Sequence, residues 1–146
     1  MTPDDITLCL PRTWRRLPHL PHGVVVNARA TLLPASGVPP EAVVRCATVD
    51  TDLHLWRADA VRELATALVD FEVEDDDTFD LLGEQVTYHR FAHRLGSADV
   101  LSDQWAWLNN NLGVTLTCSA ARVDYPVYCD VFEAIAATVS IGPRAA

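Results

Sequence analysis

The final part of the chain alternates apolar and polar residues through three stretches, Glu84–Leu95, Val100–Leu108 and Val114–Ala121. A period of two is the mark of a β-strand with one buried face. The pattern then changes. Tyr125, Tyr128, Phe132, Ile135 and Val139 recur at spacings of three and four, which predicts a helix over Tyr125–Val139 with one apolar stripe. Asp124 and Pro126 suit its first turn, and Gly142-Pro143 ends it. Short polar connections, Gly96-Ser97-Ala98-Asp99 and Asn109-Asn110-Asn111-Leu112-Gly113, make the three strands antiparallel neighbours. In the last strand Val114, Leu116, Cys118 and Ala120 should meet the helix. Thr115, Thr117 and Ser119 face the other way, either partly wet or kept for a partner.

Earlier segments fit the same plan. Ile6–Leu10 alternates up to Pro11 and predicts a short strand, with Trp14 in the turn that follows and a Pro/His loop over Leu17–His22. Gly23–Leu33 predicts a strand with Val24, Val26, Ala28, Ala30 and Leu32 on one side. Pro34–Pro40 is a connection. Glu41–Val49 is open between a β-branched strand and a helix started by its prolines. Asp52–Val69 predicts a helix whose stripe is Leu53, Trp56, Ala60, Leu64 and Leu68. Arg57, Asp59, Arg62 and Glu63 fall on its wet side. Asp70–Leu82 reads as a hairpin, or two short strands, around a charged turn. The sum is an α+β domain spanning residues 1–146: an antiparallel sheet of five to seven strands with two amphipathic helices packed on it.

Composition narrows the function. The net charge is −9, and all 11 basic residues are Arg. That balance argues against a nucleic-acid partner, which needs clustered basic side chains. The N-terminus, Met1-Thr2-Pro3-Asp4-Asp5, is acidic and leads into no apolar signal region. No run has the length of a membrane span, so a cytoplasmic protein is the expectation. The four cysteines, Cys9, Cys46, Cys118 and Cys129, form no Cys-x-x-Cys pair. Cys9, Cys118 and Cys129 read as buried thiols, with a Cys118–Cys129 bridge as the alternative.

Candidate chemistry is sparse. His89 and His93 share a face of one strand, but lie ~13 Å apart at the strand rise of ~3.3 Å per residue, too far for one metal. His19 and His22 sit in a proline-rich loop without nearby acids. The acidic run Glu72, Glu74, Asp75, Asp76, Asp77 and Asp80 is a solvated turn or a dock for a basic partner. It is not an EF-hand, because Phe79 and Asp80 stand where that loop needs an oxygen ligand and a glycine. Trp105 and Trp107 share a strand face and either fill the core or line a groove. No phosphate-loop, dinucleotide, nucleophile-elbow or zinc-protease motif is present, and no cofactor is expected.

The order of elements and several residues in them resemble the PsbP-like α/β sandwich superfamily. That group includes the Ran-binding Mog protein, actinobacterial LpqN-type proteins and chaperone-like partners of type VI secretion effectors. The resemblance rests on an N-terminal strand closed by Pro11 and Trp14, the strand Gly23–Leu33 and the helix Trp56–Leu68. It continues through Glu84–Arg94, Trp105–Leu108, Gly113–Ser119 and the helix Tyr125–Ser140. It implies a non-enzymatic binding or accessory protein, secretion-linked in some relatives, and it carries over no active-site motif. LpqN-type relatives are exported lipoproteins, and this chain departs from them in having neither an apolar signal region nor a lipid-anchored N-terminal Cys. Three functions follow. The first is an adaptor for another protein. The second is a small-molecule or lipid carrier with a pocket between sheet and helices. The third is a hydrolase or isomerase built on His89 or His93 with a carboxylate. The expected partner or ligand surface is Trp105, Trp107, Tyr88, Phe91, His89 and His93. The sequence does not identify the partner, and a two-fold homodimer through an exposed sheet face is a further expectation.

Overall fold

The computed structural model describes residues 6–142. The acidic N-terminal residues 1–5 and Pro143 of the helix-ending pair lie outside them. The elements run β1 (Ile6–Thr7), β2 (Trp14–Arg16), β3 (Val24–Ala30), β4 (Glu41–Thr48), α1 (Leu53–Ala67), β5 (Val69–Leu81) and β6 (Glu84–Leu95). Then follow β7 (Ala98–Asn109), β8 (Leu112–Ala121), α2 (Tyr125–Ala137) and β9 (Ser140–Ile141). Seven strands form one antiparallel sheet in the order β2-β3-β4-β8-β7-β6-β5. β1 and β9 pair separately, Ile6 opposite Ile141 and Thr7 opposite Ser140, so the two ends of the described chain meet. The architecture is the α+β sheet-and-two-helix plan that the pattern predicts.

Alternation assigns the two faces. On β7, Leu101, Asp103, Trp105 and Trp107 share one side, and the register sets them against Ala120, Cys118, Leu116 and Val114 of β8. This face meets α2. Phe132, Ile135 and Ala136 are buried on it, with Val26, Ala42, Val44 and Val86 in the same core. Trp14, Tyr125 and Tyr128 surround the Phe132 ring. The other face carries Ser102, Gln104, Thr115, Thr117 and Ser119, and α1 covers part of it. A stable fold needs one dry side, and the α2 side supplies it.

Several local expectations are corrected. Trp14 is in a strand, β2, because its ladder to Ala30 lets the ring reach Phe132. The first strand ends at Thr7. Glu41–Val49 resolves as strand, since β4 lies between β3 and β8 and is paired on both sides. Leu32 is exposed beyond the end of β3. The acidic stretch is no hairpin: β5 is one 13-residue edge strand paired with β6 and interrupted by two irregularities. The reversal falls at Leu82-Gly83, both at positive φ. All four cysteines are free. Cys118 is buried, Cys9 is exposed, and Cys46 and Cys129 are half-buried. No 118–129 bridge forms; the Cys129 thiol lies 3.6 Å from the Pro126 carbonyl of its own helix.

Candidate functional site

A cleft of about 570 Å³ opens between α2 and the β5–β6 edge of the sheet. Strand parity builds its floor. Tyr88 and Trp105 face each other across the β6–β7 ladder, with ring centroids 5.4 Å apart. Phe79 and Leu81 of β5 extend the apolar surface, and Ala136 and Ala137 of α2 close one side. The rest of the lining is charged: Asp75, Asp76 and Asp77 from β5, Glu133 from α2, and Arg90 from β6. Acidic groups outnumber the one cation, so the cleft favours a positively charged guest over an aromatic floor.

Beside the floor lies Asp103, only 1% exposed. Tyr125 donates its hydroxyl at 2.9 Å from both carboxyl oxygens, and Tyr88 donates to Oδ1. Arg90 stands opposite Asp103 in the ladder. Burial raises the Asp103 pKa, against the two tyrosine hydrogen bonds and the Arg90 charge, which pull it down. Burial, followed by the neighbouring carboxylate, pushes Tyr125 up to about 12. Tyr88 is raised further still, by burial first and then by its bond to Asp103. Both phenols therefore stay protonated donors at neutral pH. Tyr125 begins α2, so the network ties the start of that helix to the sheet and fixes one wall of the cleft. Behind β5 a second tier of charge holds the strand. Glu74 binds Arg122 in a salt bridge and lies 3.8 Å from Arg90.

The opposite face carries a polar row. Arg57 of α1, 4% exposed, donates to Gln104 Oε1, and Gln104 donates at 2.9 Å to Thr117. Ser102 and Ser119 share a hydrogen bond of 2.7 Å. The expectation that Arg57 lies on the wet side of its helix is thereby corrected. It occupies the stripe, four residues after Leu53 and three before Ala60, and points at the sheet. Burial lowers its pKa to about 10, still charged at neutral pH.

The six expected surface residues do not form one patch. Trp105 and Trp107 are buried on the α2 face, where Tyr88 joins Trp105 at the cleft. His89, Phe91 and His93 lie on the other face of β6. Phe91 is buried against Phe71, and its ring lies 6.2 Å from that of His93. His89 stands opposite Asp76 in the register, but its Nδ1 has no hydrogen-bond partner, so no imidazole–carboxylate dyad is assembled through that nitrogen. Burial lowers the pKa of both histidines. Among the described residues no group of three His, Cys, Asp or Glu side chains could hold a metal. No described helix is long and apolar enough to cross a membrane. Sequence reading missed Asp103 and Arg57. Asp103 shares its parity with Trp105 and Trp107, and Arg57 its phase with Leu53 and Leu64. A charged residue in phase with a core stripe was the available signal for both.

No family model matches the chain, and no curated protein matches it. Solved structures do. LpqN of Mycobacterium tuberculosis, involved in cell envelope biogenesis, superposes with a TM-score of 0.74 at 20% identity, over 94% of this chain and 83% of LpqN. The cyanobacterial PsbP of Synechocystis sp. PCC 6803 gives 0.70 at 15% identity, over 97% of this chain and 89% of its own. A protein of unknown function from Pseudomonas aeruginosa, PA94, gives 0.66 at 11%, over 97% and 99%. The chain has the PsbP-like fold.

Proposed function

We propose that this protein is a non-enzymatic accessory factor that holds a basic, extended segment of a partner protein along β5. One cationic side chain of the segment enters the cleft beneath α2. The observation that carries this reading is the adjacency of two features. β5 ends the sheet, and no other described strand pairs with its outer edge. Beside it lies a cleft with an aromatic floor, Tyr88 and Trp105, and an acidic rim, Asp75, Asp77 and Glu133. Main-chain pairing would supply affinity, and the cleft would select the cation. The same acidity works against a dimer that pairs β5 with β5, because it sets like charges side by side. The likeness to LpqN makes envelope assembly the first place to look for the partner.

The test is a titration with an extended arginine-containing peptide, followed by tryptophan fluorescence, with Trp105→Phe identifying the Trp105 signal among the chain's four tryptophans. The parent chain is compared with the triple variant Asp75→Asn, Asp77→Asn, Glu133→Gln. The reading expects the parent to bind and the variant to bind at least about fivefold more weakly, with affinity falling as salt rises. Equal binding by both chains, or none by either, would overturn it. The cleft volume also falls within the usual range for small-molecule pockets, roughly 300–1,000 Å³. A free cationic amine that saturates the same fluorescence change while the peptide does not would favour a small-molecule role.

A further inference from the structure

Arg57 poses a problem that the cleft beneath α2 does not answer. A buried guanidinium ordinarily has a carboxylate partner, because an uncompensated charge away from water is expensive. Here its hydrogen-bond partner is the neutral amide of Gln104, and its Nε has none among the described residues. Trp56 offers its ring at 4.9 Å, which eases the charge without neutralising it. An apolar residue at this point of the α1 stripe would pack against the sheet at no such cost. Two more buried polar atoms nearby also lack partners: the Thr87 hydroxyl and His89 Nδ1. Arg57, Thr87 and His89 all line one cleft of about 530 Å³ between α1 and the β5–β6 pair, with His54, Asp76 and Thr78 also in its wall.

We propose that this second cleft is a binding site for a small carboxylate, held by the Arg57 guanidinium and the Thr87 hydroxyl. A guanidinium offers a planar fork of donors that matches a carboxylate. Gln104 occupies one Nη of Arg57 and fixes the direction of the group. Asp76 and Asp77 in the same wall are exposed and screened by water, whereas Arg57 is buried, so the unbalanced charge beside the guanidinium is positive and a monoanion can balance it. A phosphate dianion would bring a second negative charge toward Asp76 and Asp77 in the same wall. His89, whose pKa is lowered by burial and then by Arg57, is neutral at pH 7 and is placed to add a hydrogen bond. This site is on the sheet face opposite Tyr88 and Asp103; its wall shares Asp76 and Asp77 with the cleft beneath α2, but its anchors Arg57 and Thr87 are not part of that cleft.

The experiment titrates the full chain with sodium acetate against sodium chloride at matched ionic strength. It reads the thermal midpoint and the Arg57 Nε–H resonance. Acetate is expected to raise the midpoint and move the resonance saturably. Thr87→Val should weaken binding about threefold to tenfold, the worth of one hydrogen bond to a charged group. Arg57→Met should keep the fold and lose the saturable response. Asp76→Asn separates the two possible counter-ions. It should tighten acetate binding if Arg57 awaits a ligand, whereas destabilisation of the chain with no gain in binding would make Asp76 the native partner and overturn the proposal. The proposal also falls if acetate acts no better than chloride, if Arg57→Met responds like the parent, or if inorganic phosphate binds more tightly than acetate.

Discussion

Asp103 shows what one side chain can do on a core face. Its neighbours in phase are Leu101, Trp105 and Trp107, yet it carries a carboxyl, satisfied by two tyrosines and faced by Arg90. Because burial raises its pKa, the folded state binds the proton more tightly than the unfolded chain, whose carboxyl titrates near ~3.9. Its contribution to stability is therefore fully present below that pH and is lost as pH rises through the folded value. Asp103→Asn keeps an oxygen acceptor for the tyrosines and removes the titration. Urea unfolding of variant and parent across the pH range above about 4 should show the difference moving in the variant's favour as pH rises. A constant difference would mean that Asp103 does not titrate in this window. Parity made the two tryptophans legible, but a carboxylate in the same register reads as surface until the hydroxyls that accept its burden are placed, and Tyr88 and Tyr125 come from other elements.

At the scale of elements, edges and contacts decide. β6, β7, β8 and α2 were legible to within two residues at each end, because the strands carry a period of two, α2 carries a stripe at spacings of three and four, and turn-forming residues bound them. β5 was not. Its consecutive aspartates mimic a turn, and only the ladder to β6 reveals a continuous strand. The charges there have a physical role of their own, since an unpaired edge invites a second edge. Asp75→Val with Asp77→Val should therefore raise the apparent mass in light scattering relative to the parent chain, increasingly so with concentration. The contact of α1 with the sheet turns on a single glycine. A Cβ at Gly113 would lie 2.6 Å from Val49 Cγ2 and 2.7 Å from the Trp56 ring. Gly113→Ala should cost about 1–3 kcal/mol in chemical denaturation, the usual penalty of overpacking. A neutral result would mean that α1 rides loosely on its face.

The whole molecule divides its labour between two sides of one sheet. One side is dry and holds the fold together through Phe132 and the paired tryptophans. The other keeps hydroxyls, an amide and a guanidinium under partial cover, and such polar networks contribute specificity more than stability. That division was legible in outline from the Thr/Ser row of β8. The clefts were not, since each is bounded by elements far apart in sequence. One feature sets how the chain can be rebuilt. The β1–β9 ribbon brings the two ends of the described residues together, with Ile6 opposite Ile141. A short linker from residue 142 to residue 6, with new ends opened in the exposed β3–β4 connection near Ser36, should give a circular permutant with the same far-ultraviolet spectrum and a cooperative unfolding transition. Were it to lose cooperativity, the β3–β4 connection would be part of the folding nucleus. If it folds, the fold has no obligatory first residue, and the order in which its strands are synthesised is a choice of the gene, not a demand of the sheet.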